Sequence, residues 1–228
     1  MDTRIGTGIG PRIARLIAHA LVMGVALAGV YILVGNPFEG QGKAGMLRYF
    51  TIQSNLLVAA LALMEFALVA LGRMPGRRFA LARGFGLVAI SLTGAAYAIF
   101  LARVWSPTGM MAVGDRLAHY VSPILALAVW AFFSEKGKLR LPDAALWLAY
   151  PGAYLLWSQI NGALTGFYPY WFVNPKPAPE GLGSAWLVLA FAAGTCAVLW
   201  LLGAALVGID RAFAGKDARR GASAECAR

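Results

Sequence analysis

The stretch that decides the fold runs from Tyr49 to Leu71 and reads YFTIQSNLLVAALALMEFALVAL. Beyond its polar first turns it is almost wholly apolar, and it is long enough to cross a bilayer as one helix, which takes about 20 residues. The whole chain has 228 residues, of which 60% are hydrophobic, and a mean hydropathy of +0.67. This composition excludes a soluble domain and predicts a membrane protein with several spans.

Apolar runs separated by glycine, proline and charge recur along the chain. They predict an all-α protein with a single bundle of six spans, namely Ile13–Val34, Tyr49–Leu71, Phe85–Leu101, Leu117–Phe133, Ala144–Leu164 and Ala185–Ile209. Residues 1–12 are then a cytoplasmic segment and residues 13–209 the membrane domain. The polar residues 210–228 are expected to form a disordered cytoplasmic tail.

The net charge of +10 is unevenly distributed along the chain. Of the 20 Lys and Arg residues, 15 lie at the start of span 1, between spans 2 and 3, between spans 4 and 5, or after span 6. This bias argues against nucleic-acid binding and predicts that both termini are cytoplasmic. Cys196 and Cys226 lack the spacing of a disulfide or a metal site, so no metal or cofactor is expected.

Two reactive side chains are predicted to lie at matching depth in different spans. Thr51 follows Arg48 by three residues, and His119 follows Arg116 by three residues. If both spans enter from the same side, each side chain lies about 5 Å beyond its arginine, at about 1.5 Å per residue. A hydroxyl and an imidazole that meet below the membrane surface suggest a nucleophile and a base.

Further polar residues are expected to converge on the outer half of the bundle, where they would bind a substrate or stabilise an oxyanion. The candidates are Ser54, Asn55, Ser122, Gln159, Asn161 and Tyr168. Asp115, four residues before His119, either orients the imidazole or caps a helix. Because the sequence shows no clear buried third carboxylate, it predicts a Thr51–His119 dyad.

The sequence allows two interpretations for each of three features. The aromatic and proline-rich segment 165–183 is either an interfacial anchor belt or a lid over a pocket. Glu65, within span 2, either pairs with an arginine at the inner ends of spans 2 and 3 or belongs to a proton path. Pro123 cannot donate to the carbonyl of His119, which frees an acceptor beside the candidate base or is simply a tolerated membrane proline.

Three motifs in order resemble the androgen-induced-gene/ADTRP-like family of six-helix membrane proteins. They are RYFTIQSNLL at residues 48–57, DRLAHYVSPILALAVW at residues 115–130 and YPGAYLLWSQINGALTGFYPYWFVNP at residues 150–175. The resemblance implies a threonine hydrolase that cleaves fatty-acid esters of hydroxy fatty acids. It carries the family's threonine onto Thr51 and its histidine onto His119. The composition is typical of a bacterial relative, which predicts the inner (plasma) membrane.

The sequence therefore favours an intramembrane lipid-ester hydrolase that forms an acyl-threonine intermediate, with a membrane lipid as substrate. The first alternative is a small transporter or a lipid- or ligand-binding membrane protein that uses the same outward-facing polar pocket. The second is a structural subunit whose polar residues, aligned along one face of a helix, bind a partner helix. The oligomeric state, the particular lipid and the roles of Glu65 and His19 do not follow from the sequence.

Overall fold

The chain folds into eight α-helices among the residues that the structure, a computed structural model, describes. It describes the backbone of residues 9–38 and 40–226, with the side chains of that range up to residue 214. The helices are α1 (Ile9–Gly35), α2 (Phe50–Ala70), α3 (Arg77–Ala96), α4 (Gly109–Arg116), α5 (Ser122–Phe133), α6 (Leu141–Leu146), α7 (Ala149–Thr165) and α8 (Ala185–Cys226).

Two π-helical turns and two short 3₁₀ helices complete the fold. One π turn, Tyr97–Leu101, continues α3, and the other, Leu117–Val121, joins α4 to α5. The 3₁₀ helices are Lys43–Arg48, just before α2, and Trp171–Val173, between α7 and α8. The described part of the chain contains no strand, in agreement with the predicted all-α class.

Five helices within the described residues are long and apolar enough to cross a membrane, as expected of an integral membrane protein. They are Ile9–Gly35, Phe50–Ala70, Arg77–Leu101, Gly109–Phe133 and Ala185–Ala214. Five of the six predicted spans match these helices closely at one end or both. The helix of the third span starts earlier than expected, at Arg77, and that of the fourth span starts at Gly109 rather than at Leu117.

The predicted fifth span, Ala144–Leu164, is divided in two. Helix α6 ends at Leu146 and α7 begins at Ala149. Pro151 explains the break, because it has no N–H to donate to the carbonyl of Trp147, four residues earlier. The Trp147 indole also packs into the space left by Gly84, where a methyl group would lie 2.1 Å from the ring. The remaining helix is shorter than the five candidate spans, so the six-span count stays a prediction.

The last helix does not end at Ile209 as predicted but continues to Cys226. The boundary expected at residue 210 falls inside this helix, and a helical extension replaces the disordered tail. Asp210 is fully buried, and its carboxylate accepts the Leu139 N–H at 2.9 Å. The Asp210 carbonyl also accepts the N–H of Gly137 at 3.2 Å. These contacts hold the loop after α5 against α8.

Helix α1 packs against α2, α4 and α5, and α3 packs against α2, α5 and α8. Small residues allow the closest approaches, as is usual between membrane helices. A methyl group at Gly29 would lie 3.2 Å from the Ala118 nitrogen, and one at Gly114 would lie 2.7 Å from the Ile32 side chain. The helix that carries His119 is thereby fixed against α1.

A buried ion-pair cluster joins α1, α2 and α3 near the end of the bundle where α2 ends and α3 begins. Arg83 Nη1 donates to Glu65 Oε1 at 2.8 Å, and His19 Nε2 lies 3.6 Å from the same oxygen. Ser134 Oγ donates to it at 3.4 Å. Glu65 is therefore paired with an arginine that precedes the third predicted span, which agrees with the simpler of its two interpretations. His19 takes a structural position in the same cluster.

Replacing Glu65 by alanine should destabilise the protein strongly. Glu65→Ala would leave Arg83 buried without its counter-charge, which costs about 3–5 kcal/mol when one partner of a buried pair is removed. Thermal unfolding in detergent should show a markedly lower midpoint. Met64→Ala is the control, because Met64 is the adjacent residue and is 53% exposed. Equal shifts in the two variants would contradict the assigned role of the ion pair.

Candidate functional site

Thr51 and His119 are in hydrogen-bond contact. The distance between Thr51 Oγ1 and His119 Nε2 is 3.1 Å, and both residues are buried. Thr51 lies in the first turn of α2, and His119 lies in the π turn between α4 and α5. The two helices that carry them are neighbours, which matching depth alone does not require. The structure thus brings together the two side chains that the sequence selected.

The π turn around His119 has an identifiable cause. Pro123 lacks the N–H that would bond to the His119 carbonyl in a regular α-helix, and the chain adopts the wider π geometry over Leu117–Val121. Helix α3 approaches this carbonyl closely at Gly94, where a methyl group would lie 3.1 Å from the oxygen. Such π turns occur often at functional sites because they redirect side chains.

A buried carboxylate lies behind His119, so the prediction that no third carboxylate is present is wrong. Asp115 Oδ1 is 3.2 Å from His119 Nδ1, and the Asp115 carbonyl oxygen is 2.9 Å from the same nitrogen. Asp115 is only 3% exposed and sits inside α4, so it does not cap a helix. The sequence missed this because the apolar run begins at Leu117, whereas the helix begins at Gly109.

Tyr97 completes the environment of the imidazole. Its hydroxyl donates to Asp115 Oδ2, and its ring stacks on His119 with centroids 4.0 Å apart and an interplanar angle of 19°. The Asp115 carbonyl oxygen accepts from His119 Nδ1, and the Asp115 carboxylate lies beside the same nitrogen, so a proton on Nδ1 is stabilised there. The Nε2 atom then remains an acceptor for the Thr51 hydroxyl.

Two tyrosine hydroxyls occupy the N-terminus of α2, where backbone N–H groups have no partner within the helix. Tyr154 Oη accepts the Phe50 N–H at 3.2 Å and donates to the Arg48 carbonyl at 2.8 Å. Tyr170 Oη accepts the Thr51 N–H at 3.3 Å and lies 3.4 Å from Thr51 Oγ1. Burial raises the pKa of Tyr170, so its hydroxyl stays protonated.

Tyr170 was not among the predicted site residues, although its neighbour Tyr168 was. Tyr168 packs its ring against Gly162, where a methyl group would lie 2.1 Å from a ring carbon, and it does not line the cavity described below. The only signal for Tyr170 was its place in the aromatic segment 165–183. Residue type alone cannot distinguish which of several tyrosines in a loop turns inward.

The two polar residues predicted beside Thr51 lie behind it and tie helices together. Asn55 Nδ2 donates to the carbonyls of Thr51 at 2.8 Å and Ala118 at 3.2 Å. Ser54 Oγ donates to the Thr51 carbonyl at 3.2 Å and lies 2.7 Å from Thr93 Oγ1. Both residues are fully buried, and their donors serve helix packing rather than an open site.

The remaining predicted residues also lie away from the Thr51–His119 contact. Gln159 Nε2 donates to the Val173 carbonyl at 2.7 Å, and Asn161 Nδ2 donates to the Phe167 carbonyl at 2.8 Å. These bonds tether the segment after α7 to α7 itself. Ser122 is buried, and its hydroxyl has no hydrogen-bond partner among the described residues.

A large apolar cavity of about 820 Å³ opens beside Thr51 and His119. Its walls come from α3 and its π turn, from α5, α7 and α8, and from Tyr170, Phe172 and Val173 of the connecting segment. Apolar side chains dominate the lining, and Thr51 and His119 are among its few polar groups. A cavity of this size and character suits a drug-sized or lipid-sized ligand.

A layer of aromatic rings lies at the end of this cavity that Tyr170 and Phe172 line. Tyr49 makes edge contacts with Phe167 and Tyr170, with centroids 6.1 and 5.7 Å apart. Phe172 stacks on Tyr170 at 5.0 Å and on Phe191 of α8 at 5.3 Å. The segment 165–183 therefore covers a pocket, as the lid interpretation expects, and whether it moves stays a prediction.

Comparisons of the chain with known protein families, with curated proteins and with solved structures found no match. The resemblance to the androgen-induced-gene/ADTRP-like family accordingly stays a prediction. In the part of the chain that the structure describes, no group of three or more His, Cys, Asp or Glu side chains is placed to hold a metal ion.

Proposed function

We propose that the protein is an intramembrane hydrolase of lipid esters in which Thr51 is the nucleophile and His119 the general base. The observation that carries the proposal is the 3.1 Å contact between Thr51 Oγ1 and His119 Nε2 at the wall of a large apolar cavity. A hydroxyl is a weak nucleophile unless a base within hydrogen-bond reach takes its proton. The contact meets that requirement.

In the proposed reaction, His119 Nε2 takes the Thr51 proton while the threonine oxygen attacks the ester carbonyl. The tetrahedral intermediate collapses to an acyl-threonine, and the alcohol leaves with the proton from His119. His119 then takes a proton from water, whose oxygen attacks the acyl carbon. Collapse of the second intermediate returns the proton to Thr51 and releases the fatty acid.

Asp115 and Tyr97 support His119 in this reaction. The Asp115 carboxylate, 3.2 Å from Nδ1, favours the imidazolium that forms when His119 holds the extra proton. Tyr97 donates to the other carboxylate oxygen and holds Asp115 in that orientation. We therefore propose a Thr51–His119–Asp115 triad in place of the predicted dyad.

Tyr170 is the proposed oxyanion donor. Its hydroxyl lines the cavity 3.4 Å from Thr51 Oγ1, and burial keeps it protonated by raising its pKa. A donor at this place lies beside the carbon that Thr51 would attack, where negative charge develops. The amide nitrogens of Asn55, Gln159 and Asn161 are less suited, because each already donates to a backbone carbonyl.

The lining of the cavity favours a lipid ester over a polar solute. Transport of a polar solute would need a hydrated path to the inner side of the membrane, and Glu65 was the candidate residue for such a path. The Glu65 carboxylate is instead paired with Arg83 beside a separate cavity of about 40 Å³. Among the described residues, the two cavities have no lining residue in common. This arrangement supports a pocket closed toward the inner side.

The same proposal includes the number of spans and the side of the membrane on which the termini lie. Six spans with both termini in the cytoplasm follow from the charge bias, with α7 as the fifth span despite its shortness. The resemblance to the androgen-induced-gene/ADTRP-like family suggests fatty-acid esters of hydroxy fatty acids or similar lipids as substrates. The composition suggests a bacterial inner membrane. On this topology, Thr51 and His119 lie near the outer face.

Labelling with a fluorophosphonate probe tests the proposed nucleophile. The detergent-solubilised wild type should be labelled, and Thr51→Ala should abolish labelling because no hydroxyl remains to attack phosphorus. His119→Ala should slow labelling by about 10²–10⁴-fold, the usual contribution of a general base. Thr51→Ser is the matched control and should retain labelling. An unlabelled, folded wild type would rule against the activated threonine.

The Tyr170 hydroxyl is tested by a pair of conservative variants in the same segment. Tyr170→Phe should lower turnover of a lipid ester by about 10²–10³-fold, because it removes one oxyanion donor. Tyr168→Phe should leave turnover nearly unchanged, since Tyr168 does not line the cavity. The rate constants are measured on the purified proteins in detergent. Equal losses in both variants, or a loss at Tyr168 alone, would refute the assignment.

A further inference from the structure

The outer half of α8 is loosely attached to the rest of the bundle. Only 17% of its membrane-crossing window is buried, against 39–50% for the other four candidate spans. Its inner half is anchored by Asp210, by buried Leu206 and Val207, and by the close approach of Gly203 to Ala144. Across the described residues, the backbones of α5 and α8 do not pack together along their length, and neither do those of α7 and α8.

Aromatic rings lie at one end of the cavity, and exposed lining residues lie along its sides. Tyr170 and Phe172 line the end near Thr51, and Tyr49 packs there against Tyr170 and Phe167. Residues that both line a cavity and remain exposed mark the rim of an opening. Three large side chains meet both criteria most clearly: Ile99 of the π turn after α3 is 62% exposed, Ile124 of α5 66% and Val198 of α8 64%.

The opposite flank of α8 is more enclosed. There the cavity is lined by Ala192 and Cys196 of α8 and by Pro151 and Leu155 of α7, all of which are half-buried. On the α7 side, the exposed lining residue is Gly152. The wider rim therefore lies between α5 and α8, and its most exposed side chains, Ile99, Ile124 and Val198, are apolar. An apolar opening at membrane depth faces lipid tails rather than water.

We infer that the substrate reaches Thr51 laterally from the bilayer, through the gap between α5 and α8. This inference rests on the proposed hydrolase function and specifies the substrate as an ester with a long acyl chain that resides in the membrane. The acyl chain enters past Val198 and Ile124, while the ester group moves along the cavity to Thr51. The stretch of α8 from Val188 to Leu202 that lines this path spans about 21 Å at 1.5 Å per residue.

The test narrows the rim with a large side chain and compares two probes of Thr51. Val198→Trp and Ile124→Trp fill opposite sides of the gap, and tryptophan is tolerated at the membrane–water boundary. Leu201→Trp is the control, because Leu201 is 61% exposed on the same helix but does not line the cavity. Gly152→Trp narrows the other flank, with Ala153→Trp as its control.

Each protein is placed in phosphatidylethanolamine/phosphatidylglycerol vesicles and labelled with a long-chain alkyl fluorophosphonate or with a short, water-soluble one. Val198→Trp and Ile124→Trp should each lower the ratio of long-chain to short-chain labelling by about tenfold or more, as expected when a gate is blocked. Leu201→Trp should keep the ratio of the wild type. Two independent rim variants keep the test decisive if one of them fails to fold.

The contrary results separate the two proposals. A ratio that falls only in Gly152→Trp would move the route to the gap between α7 and α8 and overturn this inference alone. An unchanged ratio in all the folded rim variants would overturn lateral access. Absence of short-chain labelling in a folded wild type would overturn the hydrolase function itself, and this inference with it.

Discussion

The lack of water inside a membrane is the constraint on which the rest of this structure depends. Every buried polar group must find its partner within the protein, because an unpaired one costs several kcal/mol in hydrocarbon. The chain meets this constraint in two places. Near the C-terminal end of α2, Glu65 pairs with Arg83 and approaches His19. At the N-terminal end of α2, Thr51 contacts His119, and His119 contacts Asp115.

The two clusters differ in what they leave available for chemistry. In the Glu65 cluster, the strongest acceptor is already paired with a cation, and the adjoining cavity is small. In the His119 cluster, the Thr51 hydroxyl on the wall of a large cavity donates to His119, and His119 donates in turn to Asp115. Tyr97 donates to the other carboxylate oxygen of Asp115. This directional chain is what an activated nucleophile requires.

Much of the fold, and the central pair of the site, followed from the sequence. The apolar runs predicted five of the long helices closely at one end or both, and the spacing of Thr51 and His119 from their arginines indicated a common depth. The burial of Asp115 was not predicted, because hydropathy marks where a helix enters the lipid and not where the helix begins. The sequence did not predict the break before α7. Pro151 removes a hydrogen bond to the carbonyl of Trp147, four residues earlier, and Trp147 lies inside an otherwise continuous apolar run.

Tyr170 illustrates what a single sequence cannot supply. Five aromatic residues lie close together after α7, and their number predicts only an interfacial or covering role. Which of them turns inward depends on long-range packing, here on Tyr168 against Gly162 and on the stacking of Phe172 on Phe191. The predicted amides at Gln159 and Asn161 hold this segment in place instead of reaching the site.

Direct detection of the acyl-threonine tests the central claim best. The protein would be mixed with a lipid ester, quenched in acid within a turnover, digested and analysed by mass spectrometry. The account predicts an acyl group on the peptide that contains Thr51 and none in Thr51→Ala. Hydrolysis that persists in Thr51→Ala, or an acyl group on another residue, would contradict it.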